Sequence, residues 1–189
     1  DYYPGSLSLS LKILFHPTTG KIWGAQAIGY EGVDKRIDVI SSFIGMDGTV
    51  YDLAEFEHAY APPFSSAKDP INMVGFIGMN ALEGISNPIS WREVDDLIEQ
   101  GAVILDARSE METMTGGMLP GSINIPHTAL RKRIAEVPKD KPIITTCVMG
   151  VRGYLAERIL RGNGFTKVYN LTGGLHSYTT VMSERARLN

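Results

Sequence analysis

The run Pro142-Ile-Ile-Thr-Thr146 is apolar and β-branched, and it leads directly into Cys147-Val-Met-Gly-Val-Arg152. The residues that follow, Gly153-Tyr-Leu-Ala-Glu-Arg-Ile-Leu-Arg161, place Leu155, Ile159 and Leu160 at helical spacing. A buried strand that runs straight into a helix constrains a chain strongly. Such units assemble as parallel strands with helices on the sheet faces, because a parallel neighbour is reached only by a crossover. In sheets of that kind ligands bind beyond the carboxyl ends of the strands, which is where Cys147 falls.

Cys147 is the only cysteine among 189 residues, which excludes an intrachain disulfide and a cysteine zinc cluster; no metal site is expected. A lone cysteine is by itself no more than a small buried hydrophobe. Its setting singles it out. A strand-to-helix turn is surrounded by the backbone N–H groups that a first helical turn leaves unpaired, and these stabilise an anion. Gly150 lets the backbone curl closely around the sulfur, and Arg152 adds a full positive charge. The N–H groups of Val148, Met149, Gly150, Val151 and Arg152 are therefore expected to cradle a thiolate or a persulfide.

Cys147, Gly150 and Arg152 reproduce the Cys-x-x-Gly-x-Arg loop of the rhodanese sulfurtransferases, which the chain resembles over roughly Ile89 to Tyr178. Val103-Ile-Leu-Asp106-Ala-Arg108 is similar to the family's first core strand ending in Asp-x-Arg. Gly117-Met-Leu-Pro-Gly121-Ser-Ile-Asn124-Ile-Pro126 and Val168-Tyr-Asn-Leu-Thr-Gly173-Gly174 resemble two further family segments. Met118 departs from a usual histidine, and Tyr178 stands near a usual tryptophan. The resemblance implies that Cys147 accepts sulfane sulfur as a persulfide and passes it to a thiol, with Arg152 in support. For Asp106 two roles are open: orienting Arg152 or Arg108 by an ion pair, or closing the strand end by a hydrogen bond. Related phosphatases and arsenate reductases use a loop one residue longer, so the length here favours sulfur over phosphate. A docking module with an idle rhodanese fold is the competing class, and the intact motif counts against it.

Around this loop, Ser90 and Glu93 form a capping box ahead of a helix that Gly101 ends. Ser109 to Thr115 is a short helix or loop, and Ile123 to Ile125 a strand. Thr128 is expected to cap a helix with Leu130 and Ile134 inward and Arg131, Lys132 and Arg133 as a solvated face. Gly162-Asn-Gly164 ends the helix after the loop.

The first half reads differently. Leu7 to Ile13 alternates as a half-buried strand, His16-Pro-Thr-Thr-Gly20 turns, and Lys21 to Tyr30 returns. Asp34 is expected to cap a helix with Val33, Ile37, Ile40 and Ile44 on its apolar face. A short helix through Asp52 to Phe56 precedes the double proline Pro62-Pro63, and Asp69-Pro70 opens a helix to about Leu82. Gly84 to Pro88 reads as a linker, and His58 as a surface or interface residue.

Thr19-Gly-Lys-Ile-Trp-Gly-Ala-Gln26, Gly32-Val-Asp-Lys-Arg-Ile-Asp-Val39 and Tyr60-Ala-Pro-Pro-Phe-Ser-Ser-Ala-Lys-Asp-Pro-Ile-Asn72 resemble a second family. It is the dimerisation domain of pyridine nucleotide-disulfide oxidoreductases, in the branch of coenzyme A-disulfide reductases and NADH oxidases. This resemblance implies a homodimer in which Tyr60, with Tyr2 or Tyr3, reaches the partner's thiol-substrate site. It also implies FAD and NAD(P)H for a full-length enzyme, with coenzyme A as substrate and low-molecular-weight thiols, persulfides or polysulfides as partners. No Gly-x-Gly-x-x-Gly unit in a strand-turn-helix setting occurs, so no cofactor is expected on this stretch itself. The expected architecture is an α+β dimerisation domain with a small antiparallel sheet over residues 1–84, then an α/β rhodanese domain with a parallel sheet over residues 89–189.

A hydrophobic share of 43%, a charged share of 21% and a net charge of -3 describe an ordinary globular chain and give no reason to expect nucleic acid. The first residues carry no signal pattern, and the apolar run Ile71 to Leu82 is broken by Asn72, Gly75, Gly78 and Asn80. A cytoplasmic chain without membrane contact is the simplest expectation. The absence of an initiating methionine points to a piece of a longer protein.

Overall fold

The computed structural model describes residues 4–188, and the chain divides into two units, Asp1–Gly84 and Ile85–Asn189. Tyr2 and Tyr3 lie outside the described residues.

In the first unit β1 (Leu9–Phe15) and β2 (Ile22–Gly29) form an antiparallel hairpin with Ile13 opposite Ala25. The strand starts two residues later than its alternation suggests, because Leu7 is left exposed and unpaired in the hairpin register. Leu11 and Ile13 face the core while Lys12 and Leu14 point outward. The intervening turn is held by His16, whose Nδ1 accepts from the amides of Thr18 and Thr19 at 3.1 and 3.2 Å. Helix α1 (Val33–Gly45) follows. Asp34 does not cap it: Gly32 takes the cap position with φ of 63°, and Asp34 falls in the first turn. The carboxylate still faces the positive end of the helix there.

Helices α2 (Val50–Glu55) and α3 (Pro70–Leu82) each begin with a reciprocal capping box, Thr49 with Asp52 and Asp69 with Asn72. Asn72 also binds the two helices together. Its Nδ2 donates to the carbonyls of Leu53, Ala54 and Phe56 at 3.0, 3.3 and 2.9 Å, satisfying the C-terminal end of α2. Gly75 and Gly78 permit the close approach. A β-carbon at Gly78 would stand 2.7 Å from Val50 Cγ1, and one at Gly75 would meet the Ala54 amide. Ile22, Ile40, Leu53, Ile71 and Val74 fill the core between hairpin and helices.

Asp69 carries a second load. Its carboxylate accepts from Arg36 (Nη2 to Oδ2 2.7 Å), from Ser65 at 2.8 Å and from the Ile71 amide. Burial opposes its ionisation, but these bonds and the Arg36 charge outweigh it and hold the carboxyl below its ordinary value. His58 is not a surface residue. Its ring stacks on Phe56, its side chain is 8% exposed, and Nε2 lies 3.9 Å from Asp69.

The second unit is a five-stranded parallel sheet in the order β3-β7-β6-β4-β5. The strands are β3 (Pro88–Ile89), β4 (Val103–Asp106), β5 (Ile123–Asn124), β6 (Ile143–Thr146) and β7 (Val168–Leu171). Of the segment expected to be a linker, Gly84 to Pro88, all but Gly84 belongs to this unit. Pro88 is in β3, while Ser86 and the Asn87 amide bind the fully buried Glu157 carboxylate. Those bonds stabilise a charge that would otherwise be costly to bury. The capping box of Ser90 opens a 3₁₀ helix, Trp91–Glu93, that leads into α4 (Val94–Glu99), and that of Ser109 opens α5 (Glu110–Gly116).

Two further expectations are corrected. Thr128 caps no α-helix; residues 127–133 form turns, and only Ile134–Glu136 is helical, as 3₁₀. Bonds such as Ala129 N to Pro126 O and Arg133 N to Leu130 O tighten the segment instead. Between Pro126 and Pro138 the chain is too short to repay helix nucleation, yet Leu130 still reaches the core. In α6 (Val151–Gly162), Leu155 is 41% exposed, and the inward face is Gly153, Ala156, Ile159 and Leu160. The small residues let the helix lie close on the sheet, where a β-carbon at Gly153 would be 3.3 Å from Thr146 Cα, and this rolls Leu155 outward. The last helix, α7, spans Gly174–Leu188. Among the described residues no helix is long and apolar enough to cross a membrane.

Removing Asp69 leaves the buried Arg36 guanidinium unpaired, so Asp69→Ala is expected to cost ~3–5 kcal/mol of first-unit stability in chemical denaturation. The Asp69 pKa is depressed on folding, so this stabilisation is present above the ordinary carboxyl value of 3.8 and drains away as pH falls below it. Gly75→Ala is expected to lower stability by ~1–3 kcal/mol through overpacking. Gly45→Ala, whose β-carbon meets nothing within 4 Å, serves as the neutral comparison.

Candidate active site

Cys147 stands at the carboxyl end of β6, the central strand of the parallel sheet, and is 2% exposed. The loop behind it is set from two sides. On one side Gly150, with φ of 113°, is the residue from which α6 starts, and its amide donates to Cys147 Sγ at 3.1 Å. Of the five amides expected to face the sulfur, this is the one that hydrogen-bonds to it among the described residues. The left-handed backbone at Gly150 is what turns that N–H back toward the cysteine, and a side chain there would be strained.

On the other side the N-terminus of α7 holds the loop carbonyls. Leu175 N donates to Cys147 O at 2.8 Å and His176 N to Val148 O at 3.0 Å. Because the peptides of this loop are trans, the N–H groups of Val148 and Met149 then point away from α7. Gly174, with φ of 58°, makes the contact possible, since a β-carbon there would stand 2.6 Å from Val148 O and would also meet Cys147 O. The glycine pair Gly173-Gly174 is visible in the sequence, but its closeness to the cysteine loop arises only when β7 pairs beside β6.

Arg152 does not touch Asp106. Its guanidinium forms a bidentate pair with Glu112 of α5, both N–O distances being 2.7 Å. Hydrogen bonding to Arg152 first, then to Ser109, holds the Glu112 carboxyl far below the usual carboxylate range, so the pair is ionised throughout ordinary pH. The same pair raises Arg152, against its burial, and the Cys147 sulfur adds to the effect. Glu112 is the site residue that sequence reasoning missed. Its signal was the Ser109-x-x-Glu112 capping-box spacing, which also fixes its backbone at the head of α5.

Asp106 instead pairs with Arg108, with Nη2 to Oδ2 at 2.6 Å, and accepts from the Arg108 amide at 3.0 Å. The ion-pair role and the strand-closing role therefore both fall to it, with Arg108 as partner. Arg108 in turn donates to Gly117 O, and Asn124 binds the carbonyls of Asp106 and Arg108. This buried group braces the β4–α5 corner from which Glu112 reaches the loop. The exposed rim is apolar: Val148, Met149 and Val151 are 37%, 57% and 63% accessible. Tyr60 belongs to the other unit, half-exposed in the segment between α2 and α3.

With this geometry in hand, comparison with known proteins is informative. The rhodanese-like domain family matches residues 90–180. Coenzyme A disulfide reductase of Staphylococcus epidermidis is 49% identical over 75 residues, which is 40% of this chain and 17% of that protein. Its Staphylococcus aureus counterpart is 50% identical over 76 residues, with the same shares. The crystal structure of reduced Bacillus anthracis CoADR-RHD is 47% identical and superposes with a TM-score of 0.92, over 97% of this chain and 33% of that one. An NAD-dependent persulfide reductase from A. fulgidus is 38% identical with a TM-score of 0.82, over 94% of this chain and 31% of that one. The chain thus spans only a minor part of each of these relatives. Residues 90–180 are a rhodanese-like domain, and the chain is homologous to the C-terminal, rhodanese-containing part of coenzyme A disulfide reductases and a persulfide reductase.

Proposed function

We propose that Cys147 carries sulfane sulfur as a persulfide, and that this chain is the sulfur-handling C-terminal part of a flavin-dependent coenzyme A-disulfide or persulfide reductase. The observation that carries the reading is the Gly150 amide, 3.1 Å from Cys147 Sγ in a glycine-bent loop between two helix N-termini. Negative charge on sulfur is stabilised in such a setting, whether it resides on the thiolate or on the outer sulfur of a persulfide.

In the proposed transfer the Cys147 thiolate forms a bond to the outer sulfur of a donor R–S–SH. The donor's S–S bond breaks, and its electron pair leaves with the inner sulfur as R–S⁻. Cys147 is then Cys–S–SH, with no net oxidation. An acceptor thiolate, or cyanide, attacks the outer sulfur and returns the Cys147 thiolate. Arg152, held in place by Glu112, supports the charge beside the loop. FAD and NAD(P)H would supply the reducing half of the full-length enzyme from residues outside this chain. A homodimer with Tyr60 and Tyr2 or Tyr3 near the partner's thiol site, coenzyme A as substrate and a reducing cytoplasm complete the proposal.

Intact-protein mass spectrometry tests it. Incubation with an organic persulfide is expected to add one sulfur atom that cyanide removes, and Cys147→Ser is expected to add none. Sulfur loading that persists in Cys147→Ser would sink the assignment. Gly174→Ala is expected to push back the Cys147 and Val148 carbonyls and to slow sulfur loading at least about tenfold, the scale on which small displacements of reacting groups act. Its far-ultraviolet circular dichroism should stay native.

A further inference from the structure

The charged side chains that meet at the Cys147 loop offset one another. Arg152 is the one basic residue of the loop, and both its terminal nitrogens are engaged by Glu112 at 2.7 Å. The carboxylate is ionised at ordinary pH, so the pair presents no net charge. Around it the loop offers Val148, Met149 and Val151, all exposed. Next to Glu112 on α5, Met111 and Met114 are 76% and 85% accessible. A small dianion such as thiosulfate needs an uncompensated cation where it docks, because it loses hydration there and carries two charges toward an anionic sulfur. A persulfide on an organic thiol needs no such cation. It brings at most one charge to the reacting sulfur, and the uncharged thioethyl end of its arm finds matching surface.

We infer that Glu112 is a specificity-determining residue: by neutralising Arg152 it makes Cys147 selective for organic persulfides over inorganic thiosulfate. The inference rests on the proposed role of Cys147 as sulfur carrier. Both donors would react by the same step. With thiosulfate the outer sulfur bonds to Cys147, the S–S bond breaks, and sulfite leaves with the electron pair. What differs is the charge brought to the loop.

The test uses this chain with N-acetylcysteamine persulfide, whose arm is uncharged, and thiosulfate as donors, reading the second-order rate of sulfur loading on Cys147. The unaltered chain is expected to load from the organic persulfide at least about tenfold faster, with little dependence on salt. Glu112→Gln, which keeps the side-chain shape, frees the Arg152 charge. Its thiosulfate rate is expected to rise about fivefold, the order that one unmasked charge supplies near water. That gain should shrink as salt is raised and should vanish in Glu112→Gln/Arg152→Gln. The organic persulfide rate should change much less.

If Glu112→Gln slows both donors alike, the residue only braces the loop and the specificity claim is overturned while sulfur transfer stands. Equal loading from both donors in the unaltered chain overturns it too, and needs no variant to fold. If neither donor loads Cys147, the proposed function itself fails.

Discussion

The site depends on two backbone hydrogen bonds, from Leu175 and His176 at the head of α7 to the carbonyls of Cys147 and Val148. They anchor a loop that has no regular structure of its own to the end of a rigid helix. With the carbonyls drawn to α7, the Gly150 amide is left to turn back on the sulfur. The arrangement needs glycine at Gly174, where a β-carbon would collide with the loop, and at Gly150, where φ is 113°. The sheet makes these bonds possible. β6 and β7 are adjacent and parallel, so the residues beyond their carboxyl ends emerge side by side.

The charged groups around the loop are arranged as two separate pairs. Asp106 and Arg108 are buried together and brace the end of β4, a structural use of a motif that lies one strand away from the cysteine. Glu112 and Arg152 are partly exposed and meet at the loop itself. Arg152 thus stands beside the sulfur with its charge directed and offset by a carboxylate. A bidentate pair of this kind fixes the guanidinium plane as well as its position.

In the first unit the same economy of polar groups recurs. Asp69 and Asn72 cap α3 and also reach beyond it, Asp69 to Arg36 on α1 and Asn72 to the end of α2. One capping box thereby joins three helices. The Tyr60 segment runs between α2 and α3, so its ends are held by that junction.

Local signals in the sequence settled much of this. The capping residues Asp69 and Ser90, the strand before Cys147 and the turn at His16 each depend on neighbours within a few residues, and each was legible on that account. The motif Cys147-x-x-Gly150-x-Arg152 marked the candidate site for the same reason. Tertiary structure decided what depends on elements far apart in the chain. It gave Arg152 to Glu112, forty residues away, and not to Asp106. It rolled Leu155 outward so that Gly153 could approach Thr146, and it drew Ser86 and Asn87 onto Glu157 out of an apparent linker. It also buried His58 against Phe56. Spacing along a chain specifies caps and periodicities, whereas pairing partners and helix rotation are set by which strands lie side by side.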